Sequence, residues 1–335
     1  AVVASSLFGT ISGSAVANVV GTGSFTIPLM KKSGFDSEFS GAVETAASSG
    51  GQLMPPVMGA AAFIMADYIG SYQEVLTAAI IPAILFYIAL FIMIDLEALK
   101  KDLKGQSKDE LPNFMEELKK GWLLLMPLVL LVFLLVGVRY SAQKSAFFSI
   151  IFLVVIMLVY PGKKRSVSEI LHLIASSSKG MVSVALTTGT AGIIVGMLML
   201  TGIGYKLSSL LISLSQGNVM LLLILTMVTS VILGMGMPTS AAYVLLATLI
   251  VPALENLGIA KIAAHFFVFY FGIMANVTPP VAVAAYTAAG IAKGDAMKTG
   301  FVAWRLSLAG FLMPFMFCLN PALLGKGTNG EIILA

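Results

Sequence analysis

The chain has 335 residues, of which 58% are hydrophobic and only 11% charged, and its mean hydropathy is +0.98. Soluble domains carry roughly 25% charged residues, so 20 Lys and Arg with 16 Asp and Glu are too few to wet the surface of a domain this size, and a soluble protein is excluded. A net charge of +4 spread along the chain is no nucleic-acid footprint, while a single cysteine, Cys318, excludes a disulfide framework, an iron–sulfur cluster or a thiolate zinc site within one chain.

The chain opens AVVASSLFGT, inside an apolar segment and without the basic start or cleavage pattern of a signal peptide. Both ends therefore read as boundaries within a longer protein. A spanning helix needs about 20 mostly apolar residues. In chain order, 1–30 and 38–70 are apolar but broken by glycine, proline and small polar residues, and 76–95 is an ordinary span. A mixed-charge stretch, 96–120, reads as a solvated connection. Ordinary spans follow at 121–139, 144–160 and 180–202, then an amphipathic stretch at 203–217 suited to the interface. Two more broken segments, 218–254 and 260–292, precede a last span at 299–320.

An ungapped shift of 224 residues brings the broken segments into register. Pro28 falls on Pro252, Gly34 on Gly258 and Gly70 on Gly294, and the only two Pro-Pro pairs, Pro55-Pro56 and Pro279-Pro280, coincide. If 1–30 and 218–254 are re-entrant hairpins, the two copies lie in opposite orientations, an inverted repeat. Counting Lys and Arg then puts thirteen, including Lys31, Lys101, Lys164 and Lys298, against five: Arg139, Lys144, Lys206, Lys261 and Lys326. The richer side is expected to face the cytoplasm.

Non-helical backbone at membrane depth is tolerated only where protein or a water-filled cavity satisfies it. Four such places are predicted: hairpin tips at 9–14 and 234–240, and breaks at 48–56 and 275–280. Proline donates no amide hydrogen, so each Pro-Pro pair frees carbonyls on its N-terminal side, and Ser, Thr or Asn oxygens beside them suit a bare sodium ion. Half-helix N-termini opposite offer amide hydrogens to an anion. Paired broken helices in two halves point to a secondary transporter's binding site. With no P-loop lysine motif, an ion gradient is the expected energy source. The residues assemble no persuasive set for an intramembrane enzyme.

The SGS tip, the GGQLMPP break, the GMGMPTSA tip, IVPALENLGI and the NVTPPVAVAAY break resemble the large membrane subunit of the tripartite ATP-independent periplasmic (TRAP) transporters, over about 1–70 and 218–320. GMGMPTSA, in place of an acidic tip, resembles the fused permeases that work with TAXI-type binding proteins. The resemblance implies an all-α polytopic membrane protein of the elevator type, with two re-entrant hairpins and two broken helices. Its transport cores would be 1–95 and 218–295, with 121–217 as scaffold and interfacial arm and 296–335 as the last span and tail. It also implies a periplasmic substrate-binding protein, a fused small membrane subunit, sodium as coupling ion with no other cofactor, and residence in a bacterial or archaeal inner membrane. Carried over by residue, Ser12, Ser14, Asn18 and Gly51, with the carbonyls around Met54 and Pro55, would form one cation site. Thr239, Asn276 and Thr278, with the carbonyls before Pro279, would form its counterpart. A substrate carboxylate would sit near Ser12, Gly13, Met237, Pro238 and Thr239. Glu44 and His265 are candidate proton-linked groups, since intramembrane ionisable residues are functional candidates, whereas Asp67 reads as solvated and Arg305 as a partner for a carboxylate. A stand-alone cation-coupled anion symporter, needing no binding protein, is the alternative.

Overall fold

The computed structural model describes residues 1–103, 113–159 and 166–334, and their regular structure is helical throughout. They belong to two compact units, 105–187 and the combination of 1–104 with 188–335. In the first of these, α6 (Phe114–Val132) runs into a π-helical turn over Phe133–Gly137 and packs on α7 (Ala142–Val159), an apolar span. Then α8 covers Val167–Thr201.

The larger unit opens on a helical hairpin, α1 (Val2–Ser12) and α2 (Ala15–Lys32). Gly13, in the left-handed region that favours glycine, ends α1, and the Ser14 side chain caps α2 by accepting from the Ala17 N–H. Next come α3 (Ser37–Gly51), an irregular break, and α4 (Ala60–Ile69), then α5 (Tyr72–Lys100). After α9 (Ile203–Ser215), bent 73° from the end of α8, a second hairpin forms from α10 (Val219–Gly234) and α11 (Thr239–Leu249), which continues in α12 (Val251–Asn256). The second broken pair is α13 (Lys261–Met274) and α14 (Val283–Ala292), followed by α15 (Ala296–Leu306) and α16 (Leu308–Leu319). A short 3-10 turn (Pro321–Leu324) and α17 (Asn329–Leu334) close the chain.

The offset of 224 read from the prolines places α2 at 239–256, the span of α11 with α12, and α3 at 261–275, which is α13 within a residue. Both Pro-Pro bonds are cis, and Gly34 and Gly258 both take positive φ. Two helices are sheathed by protein. α3 is buried from Phe39 to Gly51 and touches α1, α2, α5, α14 and α15; α13 is buried from Ile262 to Met274 and touches α4, α10, α11, α12 and α16. Small residues in α3 permit such close approach. The half-helix after each break packs on the other repeat, α4 on α11 and α13, α14 on α2 and α3.

With four to five spans long and apolar enough to cross a bilayer among the described residues, this is a multi-pass membrane protein. On α5, Ile80, Ile84, Ile88 and Phe91 form an exposed stripe at helical spacing, facing lipid. The helix is roughly 43 Å long at 1.5 Å per residue, and its ends carry separate charge clusters. Lys326 pairs with Glu74 near the start; near the end Glu97 meets Lys101 and Arg305, and Lys101 also pairs with Asp36. Arg305 thus finds its carboxylate in Glu97, at 3.8 Å. Asp67 is exposed.

Three boundaries differ from those read in the sequence. The charged connection starting at 96 is helical up to Lys100 and again from Phe114, because charged side chains solvate the ends of a helix without ending it. Lys104, Lys108, Lys163, Lys164 and Arg165, used in the charge count, lie outside the described residues. The last span is interrupted at Ser307, which is buried and separates α15 from α16.

Candidate transport site at the hairpin tips

Each hairpin tip is set against the break of its own repeat by glycine. A Cβ on Gly9 would stand 2.7 Å from the Gly51 Cα, and one on Gly13 would stand 2.5 Å from the Gly59 Cα, so α1 and the break meet backbone to backbone. In the second repeat Gly234 lies against Ala275 and Gly236 against Val281.

The two tips are joined by a side chain that the sequence reading did not single out. Gln52, fully buried at the start of the first break, carries a carboxamide whose orientation follows from its neighbours. Its nitrogen donates to Thr239 Oγ1 at 2.7 Å and to the Gly13 carbonyl at 3.1 Å, and its oxygen accepts from the Ala15 N–H at 3.2 Å. One amide therefore ties hairpin 1, the first break and the start of α11 in hairpin 2. The signal available in sequence was a long amide side chain inside GGQLMPP, where every neighbour is small or apolar.

Among the predicted cation ligands, Ser12 is half-buried with its hydroxyl directed at the Ser14 carbonyl at 3.5 Å, and Ser14 serves as the cap of α2. Asn18 is fully buried; its amide nitrogen donates to the Ser5 carbonyl at 2.7 Å and its oxygen accepts from Thr22 at 2.9 Å. Gly51 accepts the Met54 N–H at 3.2 Å and forms the close contact with Gly9. Asn18 thus joins α1 to α2 and Gly51 seats α1 on the end of α3, while Ser12, Met54 and Pro55 are half-buried beside the tip. Among the described residues no N–H reaches the carbonyls of Gln52 or Leu53, while the Met54 carbonyl opens the turn over 55–57. In the second break the carbonyls expected to be free are taken: Thr278 accepts the Ala282 N–H at 3.1 Å and Asn276 the Ala284 N–H at 3.2 Å.

In the second set, Thr278 donates to the Met274 carbonyl at 2.7 Å and Asn276 lies 3.5 Å from the Gly272 carbonyl, both on the last turn of α13. Thr278, Pro279 and Met237 are half-buried and Pro238 is exposed, so this side of the tip is open. Beyond each Pro-Pro pair a tyrosine takes the carbonyl of the second proline: Tyr72 donates to Pro56 at 2.6 Å and to Val57 at 2.9 Å, and Tyr286 donates to Pro280 at 2.6 Å. Tyr72→Phe is expected to lower thermal stability in detergent by about 1 kcal/mol or more, the worth of the lost bond and an unpaired carbonyl. An unchanged melting temperature would show that the break holds its shape without it.

Glu44 and His265 are not brought together. Glu44, on α3, is surrounded by hydroxyls of α1, α2 and α3. His265, on α13, shares a 2.8 Å bond between its Nδ1 and the Tyr243 hydroxyl and lies against the ring of Tyr68 on α4. A pocket of about 580 Å³, lined by Leu198, Tyr205, Ser208, Thr248 and Pro252, is a groove between α9 and α11–α12, away from both breaks.

Comparison with known proteins gives the chain's family. YgiK, an uncharacterised protein of Salmonella typhimurium, is 24% identical over 96% of this chain and 73% of its own length. The isethionate TRAP transporter permease DctMQ of Oleidesulfovibrio alaskensis is 25% identical over 85% of this chain, which spans 45% of that protein. The C4-dicarboxylate TRAP transporter large permease DctM of Pseudomonas aeruginosa is also 25% identical, over 84% of this chain and 65% of its own length. The DctM component of the tripartite ATP-independent periplasmic transporters matches residues 1–331, and the chain belongs to that family.

Proposed function

We propose that the chain forms the transport core of a permease that takes up a small organic anion, delivered by a periplasmic substrate-binding protein and driven by a sodium gradient. The relatives' names favour an acidic substrate: isethionate, C4-dicarboxylate and sialic acid are each attached to one of them. A small membrane subunit would complete the assembly in the bacterial inner membrane, with the Lys31, Lys101 and Lys298 end facing the cytoplasm. The GMGMPTSA tip favours a TAXI-type binding protein as the delivering partner.

The observation that carries this reading is the Gln52 link between the tips. Two hairpins and the first break fastened through one buried amide form a unit suited to move as a body, as an elevator requires. Sodium would be held by Ser12 and the open Leu53 carbonyl in one half, and by Thr278 with Asn276 in the other. The substrate carboxylate would lie at the N-terminal ends of α2 and α11, near Gly13 and Thr239, where amide hydrogens and the helix dipole favour an anion.

The test is uptake of radiolabelled organic acids into proteoliposomes of the complete protein, with the sodium gradient, proton gradient and binding protein each supplied or withheld. Uptake is expected to need binding protein and sodium together, and to fall about tenfold in Thr278→Ala, the equivalent of one lost ligand of about 1.4 kcal/mol. Full-rate uptake without binding protein would replace this reading with a stand-alone symporter. Uptake indifferent to sodium would remove the cation sites.

A further inference from the structure

Deep in the first repeat, away from the tip, the Glu44 carboxylate is completely buried, and among the described residues no Lys, Arg or His pairs with it. Its Oε1 is 2.7 Å from Ser5 Oγ, 2.6 Å from Thr22 Oγ1 and 3.2 Å from Ser48 Oγ; its Oε2 is 2.5 Å from Thr26 Oγ1. An unpaired buried charge is costly. Four hydroxyls offset part of that cost only if every one donates to the carboxylate.

The hydrogens do not suffice for that. Thr26 has one hydroxyl proton and can give it to Oε2, since the Thr22 carbonyl 3.0 Å away already accepts an N–H within α2. Thr22 cannot serve all its neighbours, with Glu44 Oε1 at 2.6 Å and the Asn18 Oδ1, which has no other donor among the described residues, at 2.9 Å. The Asn18 amide is fixed by its donor bond to the Ser5 carbonyl, so Oδ1 can only accept. A proton on Glu44 Oε1 resolves the shortage. The carboxyl then donates to Thr22, Thr22 donates to Asn18 Oδ1, and Thr26 is left to donate to Oε2.

The architecture does not need this cluster. At the same offset of 224, Thr22, Thr26, Glu44 and Ser48 become Leu246, Ile250, Val268 and Gly272, and the second hairpin packs on α13 with apolar side chains. Gly23 is adapted to the carboxylate, since a Cβ there would stand 3.1 Å from Glu44 Cγ. Thr22 is the one member that is only half-buried, and so provides the way in from the surface.

We propose that Glu44, within the hydroxyl cluster of Ser5, Thr22, Thr26 and Ser48, is a proton-binding site that gains and loses one proton during the working cycle. Loading adds the proton to the carboxylate as described. Unloading returns it through Thr22 to water, leaving a carboxylate that draws the Thr22 hydroxyl toward itself and off Asn18 Oδ1. Occupancy is thereby linked to how hairpin 1 is held on α3. The elements packed on α3 bring few other charges. α1 has none; Lys31 of α2 is bound to the Ala292 carbonyl. Lys298 of α15 pairs with Glu38, and Arg305 with Glu97 of α5. Tyr286 of α14 is engaged with Pro280, and Tyr87 of α5, the titratable side chain nearest Glu44 in the core, donates to the Ala47 carbonyl. The use of the proton rests on the transport reading above; its binding does not.

Infrared difference spectra of the protein in lipid bilayers, recorded across a pH series, test the site directly. A protonated-carboxyl band that appears and disappears with pH, is lost in Glu44→Gln and moves in Thr26→Val is the expected result. No Glu44-dependent band, or one that stays constant wherever the protein remains folded, would overturn the proposal. In proteoliposomes holding a pH-sensitive dye, wild-type uptake should carry protons inward and vary with pH by up to about tenfold per unit, the limit for one proton. Glu44→Gln should abolish the proton signal; proton movement that persisted in Glu44→Gln would overturn the assignment. Absence of uptake in every condition would count against the transport reading, with the infrared band still deciding the site.

Discussion

Replacing Gln52 with leucine is expected to abolish uptake, lowering it at least about 100-fold, a loss of roughly 2.7 kcal/mol or more in the rate-limiting state. Leucine has similar bulk and no polar atoms, so Thr239 Oγ1, the Gly13 carbonyl and the Ala15 N–H lose their shared partner at once. Each buried group left unpaired costs about 1–3 kcal/mol. Thr239 and Gly13 belong to different hairpins, so the loss falls on the connection between the tips. Gln52→Glu separates the roles: it keeps an oxygen for Ala15, loses the two donor bonds and adds a buried charge, so it should be no better than leucine. Uptake scaled to the amount of folded protein in the bilayer checks this. Wild-type rates in Gln52→Leu would show that the tips act independently.

The second large effect is expected from glycine at the first tip. In Gly59→Ala the new methyl carbon would stand 2.5 Å from the Gly13 Cα, with Gly59 at φ 76° and ψ 179°. Backbone cannot yield as a side chain end can, and this conformation is essentially confined to glycine. Strain and overlap together should cost roughly 3 kcal/mol or more. Gly70→Ala is the control, since Gly70 also has positive φ, 97°, but nothing lies within 4 Å of its Cβ position. That change should cost only about 1–2 kcal/mol, the left-handed backbone penalty. Thermal unfolding in detergent should therefore rank Gly59→Ala well below Gly70→Ala, and equal melting temperatures would refute the tight seating of the tip. Proteolysis at Ser12 to Ser14 should rise in parallel as the tip lifts from the break.

Much of this protein is legible along the chain because the governing constraints are local. Too few charges to wet a surface mean lipid, whatever the fold. A Pro-Pro pair lacks two amide hydrogens, so 55–56 and 279–280 had to interrupt their helices, and glycine at 13 and 236 had to sit where the backbone turns left-handed. The constant spacing of the prolines exposed the repeat, since each Pro-Pro break is decided within a few residues. Local rules also misjudged some boundaries: α5 runs on through charged residues to Lys100, and the last span is interrupted at Ser307.

Only the tertiary structure decided which partners those features meet. Asn18 has the same side chain wherever it lies, yet only the packing brings it against Ser5 of α1 and Thr22 of α2. Gln52, overlooked in a break noted for its prolines, became the link because Thr239, 187 residues further on, lies within 2.7 Å of its amide. Glu44 was visible as an intramembrane carboxylate, but the shortage of hydrogens around it exists only where α1, α2 and α3 converge. Periodicity and composition record what each residue is; a hydrogen-bond count depends on which donors and acceptors three helices bring within about 3 Å of one another, and that is set by packing at long range.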